Sequence, residues 1–213
     1  MPLKDFAGKT FVAFIDISGF KKKLQKDKEE AIKTLSLFFN EGYKVLNHNK
    51  DVSGLFISDC GILYANKKDD NNQTKLKKLL NVIKEININL IKKDIILTTN
   101  IAYGDFIYKN KIELGNLEKN LMTGNAYVEA YLDSSKMKKV THCRIVDNPI
   151  FTDFDITKLH GYIIEKEDTY YYYYWQCKDQ TDLTDFKEKF NSINNEDSKF
   201  KRLQDFTKKR IVL

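Results

Sequence analysis

The stretch FVAFIDISGF, residues 11–20, places one acidic side chain, Asp16, inside an apolar run that predicts a buried strand. Further along, LFISDCGILYA at residues 55–65 repeats the arrangement around a second carboxylate, Asp59. A charge on a buried strand is unfavourable unless another group compensates it. A fold for this chain therefore has to supply a partner for both carboxylates.

Length and composition indicate a globular protein. The 213 residues are enough for one domain with an ordinary core, and 42% hydrophobic with 31% charged residues is typical of soluble proteins. No apolar run approaches the roughly 20 residues that span a bilayer, and MPLKDFAGKT lacks a signal-peptide pattern. Cys60, Cys143 and Cys177 form no CxxC pair, which favours reduced thiols in the cytoplasm. We expect a cytoplasmic protein with no membrane partner.

The net charge of +6 comes almost entirely from lysine, since the arginines are Arg144, Arg202 and Arg210. Nucleic-acid grooves usually combine arginine with lysine, so we expect no nucleic-acid partner. A polyanionic small molecule such as a nucleotide suits a mildly basic protein equally well.

The order of periodic segments predicts an α+β fold. A strand at 10–17 precedes a long helix from Phe20 to about Asn47, a tight hairpin around Asp59, a second helix, and a strand in DIILTTNIAYGDFIY. This is the ferredoxin-like β-α-β-β-α-β order. TGNAYVEAYLDSSKMKK predicts a third helix, THCRIVD another strand, and GYIIEKEDTYYYYYWQC an added hairpin. We predict one domain over residues 1–177 and a C-terminal helical extension over 178–213 packed on it.

In such a sheet the first strand and the hairpin are neighbours, so Asp16 and Asp59 would lie side by side at one edge. Two facing carboxylates repel, and a divalent ion between them removes the conflict. Oxygen ligands suit Mg²⁺ or Mn²⁺, with the Ile17 carbonyl as a further ligand. Two such ions are a common apparatus for nucleotidyl transfer. The alternative is that Asp16 caps the next helix and Asp59 makes the turn.

Four segments carry a family resemblance. FVAFIDISGF resembles the F-x-D-(I/L)-x-G-F signature of class III nucleotidyl cyclases, and SDC at 58–60 stands in the place of their second metal aspartate. Together with ILTTNIAYGDF and NLEKNLMTGNAYVEAYLDSSKM, these segments resemble the short cyclases of Pycsar antiphage systems in order and spacing. HCRIVD is similar to their PRI strand. The resemblance covers about residues 10–150.

The resemblance implies an activity and an assembly. The protein would be a head-to-tail homodimer with active sites at the interface, in which Asp16 and Asp59 hold two metal ions. The substrate would be UTP or CTP. Its ribose 3′-hydroxyl would attack the α-phosphate, releasing pyrophosphate and a 3′,5′-cyclic monophosphate that acts as a second messenger in antiphage defence.

Several positions depart from the pattern of adenylate cyclases. Ser53 stands where a lysine reads adenine, and Leu121 where its acidic or polar partner stands, which argues against adenine. The transition-state Asn and Arg would fall at Val128 and Leu132, and Thr98 replaces an arginine of the short cyclases.

Other residues are candidates for substrate contacts. Arg144, the arginine of the core, is our candidate for transition-state stabilisation, with an ion pair on the surface as the alternative. Gly19 would let backbone amides at Phe20 approach phosphate at the helix start. Lys21, Lys22 and Lys23 follow, as triphosphate ligands or as a solvated face.

Base and ribose contacts have candidates too. Tyr43 is a candidate for contacting a pyrimidine, or a partly buried helix residue. Asn125 and Glu129 stand one helical turn apart and would face the ribose or solvent. Two competing functions remain open: a nucleotide-binding pseudo-cyclase, and a ferredoxin-like nucleic-acid-binding module.

Overall fold

One mixed sheet organises the chain. The computed structural model describes residues 3–114, 117–136, 143–191, 201 and 203–208, so His142, Arg202 and Arg210 lie outside the described residues. The strands are β1 (Phe6–Ile17), β2 (Val52–Ile57), β3 (Cys60–Ala65), β4 (Leu97–Leu114), β5 (Leu117–Thr123), β6 (Cys143–Val146), β7 (Ile164–Glu167) and β8 (Tyr170–Tyr173). Their order is β2-β3-β1-β4-β6-β8-β7, and β5 pairs with β4.

This topology confirms the α+β prediction. The β4-β1-β3-β2 part is antiparallel throughout and is the sheet of a β-α-β-β-α-β unit. The strand β6 adds parallel to β4, and the predicted C-terminal hairpin, β7–β8, follows it at the edge. Thus β1 lies in the interior of the sheet, between β3 and β4.

Among the described residues, the α-helices include α1 (Phe20–Lys26), α2 (Lys28–His48), α3 (Asn72–Ile91), α4 (Asn125–Lys136) and α5 (Gln180–Asn191), and residues 203–208 are also helical. The long helix predicted from Phe20 to Asn47 is wrong in one respect, since it is broken at Asp27. Asp27 has an extended backbone, and its side chain accepts a hydrogen bond from the Glu30 amide, which starts α2 afresh.

The two faces of the sheet are covered unequally. Alternate residues of β1 enter different clusters: Phe11, Ala13 and Ile15 pack with α2 and α3, whereas Val12 and Phe14 pack under α4. Burial on both faces explains why β1 is an almost continuous apolar run. The described part of the C-terminal extension packs Leu183, Phe186, Leu203 and Phe206 against Ile91 and Ile96 of the core.

The polar segment NKIELGNLEKNLM has a composition that predicts a connector with little regular structure, and this prediction is wrong. Apart from residues 115–116 it forms the ends of β4 and β5, which pair antiparallel from Ile107–Thr123 to Leu114–Leu117. The strands could not be predicted from the polar composition of the segment, because they are held together by backbone hydrogen bonds between β4 and β5 and not by an apolar face.

Candidate functional site

Asp16 and Asp59, called the carboxylate pair below, meet at one end of the sheet. Asp16 lies opposite Cys60 in the β1–β3 register, and the Ile17 amide donates a 3.0 Å hydrogen bond to the Asp59 carbonyl. The tight turn is completed by Ser58 with a φ of 55°, and the Ser58 hydroxyl lies 3.1 Å from Asp59 Oδ1. Adjacency of the two aspartates, predicted from the fold order, is confirmed.

The electrostatics of the pair favour a bound cation. Burial raises the pKa of Asp16 to about 6, the Cys60 thiol lowers it in part, and the charge of Asp59 raises it further. Within the described residues, neither carboxylate forms an ion pair with Lys, Arg or His. Two half-buried carboxylates that lie close together without a counter-charge are suited to bind a divalent ion between them.

The side chain of Cys60 was missed by the sequence reasoning. Its thiol donates to Asp16 Oδ1 over 3.3 Å, and Sγ, an Asp16 oxygen and an Asp59 oxygen all lie within 4.8 Å of one another. The sequence did indicate this position, because Cys60 directly follows Asp59 at the start of β3, where it pairs with Asp16 of β1.

The helix α4 divides this face of the sheet into two flanks. On the side of the carboxylate pair, Tyr131 packs edge-on against Phe14 at 5.4 Å, and Tyr127 lies near Cys60. On the other side lies a cleft of about 480 Å³, called the α4 cleft below. It is lined by Asn125, Val128, Glu129, Leu132, Asp133, Val146 and Tyr170.

The structure brings Asn125 and Glu129 together in the α4 cleft, on the flank away from the carboxylate pair. Partial burial and the nearby charge of Asp133 raise the pKa of Glu129. None of the residues that line the cleft is cationic, and Val128 and Leu132 are about half exposed. The lining therefore offers amide and carboxyl groups but no counter-charge for phosphate.

Arg144 is buried beneath this cleft and is held by three neighbouring residues. Its guanidinium forms a 2.6 Å ion pair with Asp133, donates to the Asp133 carbonyl and to Asn100 Oδ1, and lies 4.1 Å from the centre of the Tyr170 ring. The Tyr170 hydroxyl also donates to Asp133. The ion pair of the alternative interpretation is present, but its predicted position on the surface is wrong, because only 8% of Arg144 is exposed.

Arg144 is not brought to the carboxylate pair. It pairs with Asn100, which pairs with Phe14, two residues before Asp16. Only β4 lies between their strands, so two inter-strand spacings and two residues separate Arg144 from Asp16, a distance on the order of 12 Å between backbones.

Two more candidates also lie elsewhere. Tyr43 is 55% exposed on α2 and packs against Phe39 and Phe56. Phe56 aligns with Gly61 and Ile15, so Tyr43 stands on the opposite face of the sheet from Asp16.

Ser53 accepts a hydrogen bond from Asn66 at the far end of the β2–β3 hairpin, four residues or about 13 Å along β2 from Ile57. Gly19, by contrast, lies two residues after the end of β1, with a φ of 75° that allows the chain to turn into α1 at the buried Phe20. The helix that begins there has seven residues, not the length predicted.

Comparison with known proteins gives the fold. No family model matches the sequence, and no curated protein matches it. The structure is similar to the guanylate cyclase domain of RhGC from Catenaria anguillulae in complex with GTP, at a TM-score of 0.62 and 15% identity over 80% of this chain and 97% of that one. It is also similar to a non-canonical dimeric guanylyl cyclase domain of the RhoGC fusion protein from Blastocladiella emersonii, at a TM-score of 0.61 and 16% identity over 80% of this chain and 97% of that one. A third similar structure is the adenylyl cyclase CyaB from P. aeruginosa, at a TM-score of 0.55 and 16% identity over 80% of this chain and 96% of that one. The chain therefore has the class III nucleotidyl cyclase fold.

Proposed function

We propose that the protein is a metal-dependent nucleotidyl cyclase that converts UTP or CTP to the 3′,5′-cyclic monophosphate and pyrophosphate. The observation that carries the proposal is the carboxylate pair, two adjacent acidic groups without a cationic partner in the described structure, on a cyclase fold. The product would serve as a second messenger in antiphage defence, as the resemblance to the short cyclases implies.

The carboxylate pair would hold two Mg²⁺ or Mn²⁺ ions, with the Ile17 carbonyl as an additional ligand. Bound divalent ions supply charge that activates the 3′-hydroxyl and holds the triphosphate. The backbone at Gly19 and Phe20, which turns away from β1 beside Asp16, would approach the phosphates, and the exposed Lys21 and Lys22 would add positive charge. Asn125 and Glu129 would contact the ribose from the α4 cleft of the opposite subunit.

A homodimer would complete the site. The carboxylate pair and the α4 cleft lie on opposite flanks of α4, so one molecule cannot close both around the same nucleotide. Apolar side chains are exposed on α4 itself, at Val128, Tyr131 and Leu132. A head-to-tail pairing would cover them and set the carboxylates of one subunit against the cleft of the other. Sedimentation of the native chain and of Val128→Lys tests this, with a shift to monomer expected for the variant.

The specificity for a pyrimidine rests on the resemblance. Ser53 and Leu121 stand where adenylate cyclases carry the pair that reads adenine, and Ser53 lies far from the carboxylate pair. No group that recognises adenine is thus retained at these two positions.

The test is incubation of the purified protein with Mn²⁺ and each ribonucleoside triphosphate separately, with mass spectrometry of the products. We expect a cyclic pyrimidine monophosphate, lost in Asp16→Ala and in Asp59→Ala. The matched control is Asp69→Ala, which removes an exposed carboxylate from the loop after β3 and should retain the activity. A cyclic purine product would refute the specificity and keep the reaction class.

One observation favours a second function, a nucleotide-binding pseudo-cyclase. The α4 cleft has no cationic lining and Arg144 is held by Asp133, so the flank that would stabilise a pentavalent phosphorus lacks the usual charge. Calorimetry with UTP, CTP, ATP and GTP in the presence of Mg²⁺ distinguishes the two. Binding of a nucleotide without any cyclic product would establish the pseudo-cyclase.

In the described part of the chain, the helices include none that is both long and apolar enough to span a membrane.

A further inference from the structure

The thiol of Cys60 is placed as a third donor at the carboxylate pair. Cys60 is the first residue of β3, directly opposite Asp16 across the β1–β3 pairing, and is partly exposed. It forms no disulfide, and among the described residues its thiol donates a hydrogen bond to Asp16. Chemistry with Mg²⁺ uses oxygen ligands and does not require sulfur. The thiol therefore adds a donor of a different kind.

The three donors are close to the spacing that a tetrahedral ion requires. With Zn–S near 2.3 Å and Zn–O near 2.1 Å, tetrahedral ligand atoms lie about 3.6 Å apart. The three atoms here lie within 4.8 Å of one another, so side-chain movements of about 1 Å would bring them to that spacing. The strand pairing fixes Cys60 and Asp16, while the Asp59 side chain is at the hairpin turn.

Thiolate ligands change which ion a site prefers. Sulfur selects borderline and soft ions such as Zn²⁺ over Mg²⁺. On binding, the thiol releases its proton to solvent and the sulfur lone pair forms the bond to the ion. The hydrogen bond from the thiol to Asp16 is then lost, and the carboxylate oxygen is available to the same ion.

We propose that Cys60, Asp16 and Asp59 form a mixed sulfur–oxygen site that binds Zn²⁺ in preference to Mg²⁺ or Mn²⁺. Zn²⁺ held there would displace the ions that the proposed cyclase reaction uses, so that this ion acts as an inhibitor. The inhibitory role rests on the proposed function, whereas the binding itself does not.

The first experiment uses Co²⁺ as a spectroscopic substitute for Zn²⁺ on the full chain without nucleotide. A sulfur-to-cobalt charge-transfer band in the near ultraviolet is expected for the native protein and is expected to disappear on addition of Zn²⁺. Cys60→Ser should lack the band. Cys143→Ala, which removes a buried thiol on β6, is the matched control and should retain it. Absence of the band in the native protein, or its persistence in Cys60→Ser, would overturn the proposal.

The second experiment measures displacement of bound Mn²⁺ by Zn²⁺, read from the electron paramagnetic resonance signal of the free ion. Native protein should release Mn²⁺ at Zn²⁺ concentrations at least tenfold lower than Cys60→Ser requires. Equal concentrations for both proteins, or a failure of Zn²⁺ to displace Mn²⁺, would refute the preference.

Neither readout needs turnover, so the two proposals fail separately. A charge-transfer band without any cyclic nucleotide product would refute the cyclase and retain the thiol site. Formation of a cyclic nucleotide with Mn²⁺ but no charge-transfer band would retain the cyclase and refute the thiol site.

Discussion

Replacing Asp16 with asparagine should stabilise the metal-free protein near pH 7.5 and leave its stability near pH 4 unchanged. The pKa of Asp16 is raised from 3.8 to about 6, chiefly by burial. Between these values the unfolded chain has released the proton that the folded chain still holds. Stability therefore falls as the pH rises from about 4 to about 6, and the full penalty is present above pH 6. Asparagine carries no such charge and removes the penalty.

The size of the effect follows from the shift. About 2 pKa units correspond to about 3 kcal/mol of difference between the two protonation states. Asp16 is only partly buried, so solvent screening reduces this, and we expect about 1.5 kcal/mol for Asp16→Asn above pH 6. For a chain of this length that is about 3–6 °C in Tm.

Urea unfolding of the native protein and of Asp16→Asn at both pH values measures this difference. The matched control is Asp69→Asn, which makes the same substitution at an exposed position in the loop after β3. With Mn²⁺ present the order should reverse, because the ion stabilises only a folded protein that can bind it. A variant that is less stable than the native protein at pH 7.5 without metal, or a difference that does not depend on pH, would refute the reasoning.

Two further substitutions test how α4 is held. Arg144→Leu should destabilise the protein by about 3–5 kcal/mol, because it leaves Asp133 buried without its counter-charge, and adding Asp133→Leu should recover most of the loss in urea unfolding. Full stability in the single variant would contradict this. Gly124→Ala should destabilise by at least about 1–3 kcal/mol, since its φ is 126° and the new Cβ would lie 2.1 Å from the Asp105 carbonyl oxygen. Gly161→Ala is the control for backbone strain alone, because Gly161 has a φ of 85° but no atom lies within 4 Å of the added Cβ. It should lose less stability than Gly124→Ala in the same assay.

The sequence predicted the sheet well because each strand of the β-α-β-β-α-β unit has an apolar pattern of its own. From that order alone, β1 and β3 had to be neighbours, which brought Asp16 beside Asp59. The helix break was less visible. Asp27 lies between two stretches of similar polarity, and only its extended backbone and the Glu30 contact separate α1 from α2. At the start of α3, Thr74 has the residue type of an N-cap, but its amide donates to Asn71, which is the actual N-cap.

Residues whose role depends on a partner distant in sequence were harder to predict. Tyr43 has a helical position that suits a base contact, but the packing of α2 against Phe56 puts it on the other face of the sheet. Arg144 has a strand position that suits catalysis, but Asp133 lies within reach from α4. Neither the contact of Tyr43 with Phe56 nor the ion pair of Arg144 with Asp133 can be predicted from the local sequence pattern. Asp16 and Asp59 were predictable because a charge in an apolar run is unusual in itself.

The position of α4 connects these observations. It is the helix that covers the Val12 and Phe14 face, where its buried residues are the small Ala126 and Ala130. It comes close to the sheet at Gly104, where an added Cβ would lie 3.3 Å from the Ala126 amide nitrogen. The buried pair of Arg144 and Asp133 fixes its C-terminal half, and the proposed dimer uses both of its flanks.

An arginine that anchors the helix in this way is not available to a phosphate. If the chain is a cyclase, the negative charge on the oxygens of the reacting phosphate has to be met by the metal ions and by cations outside the α4 cleft. Lys23 is occupied by Thr34 and Glu30, whereas Lys21 and Lys22 are exposed after Gly19 at the end of the sheet where the carboxylate pair lies. Among the described residues, those two lysines, and not Arg144, are then our candidates for balancing that charge.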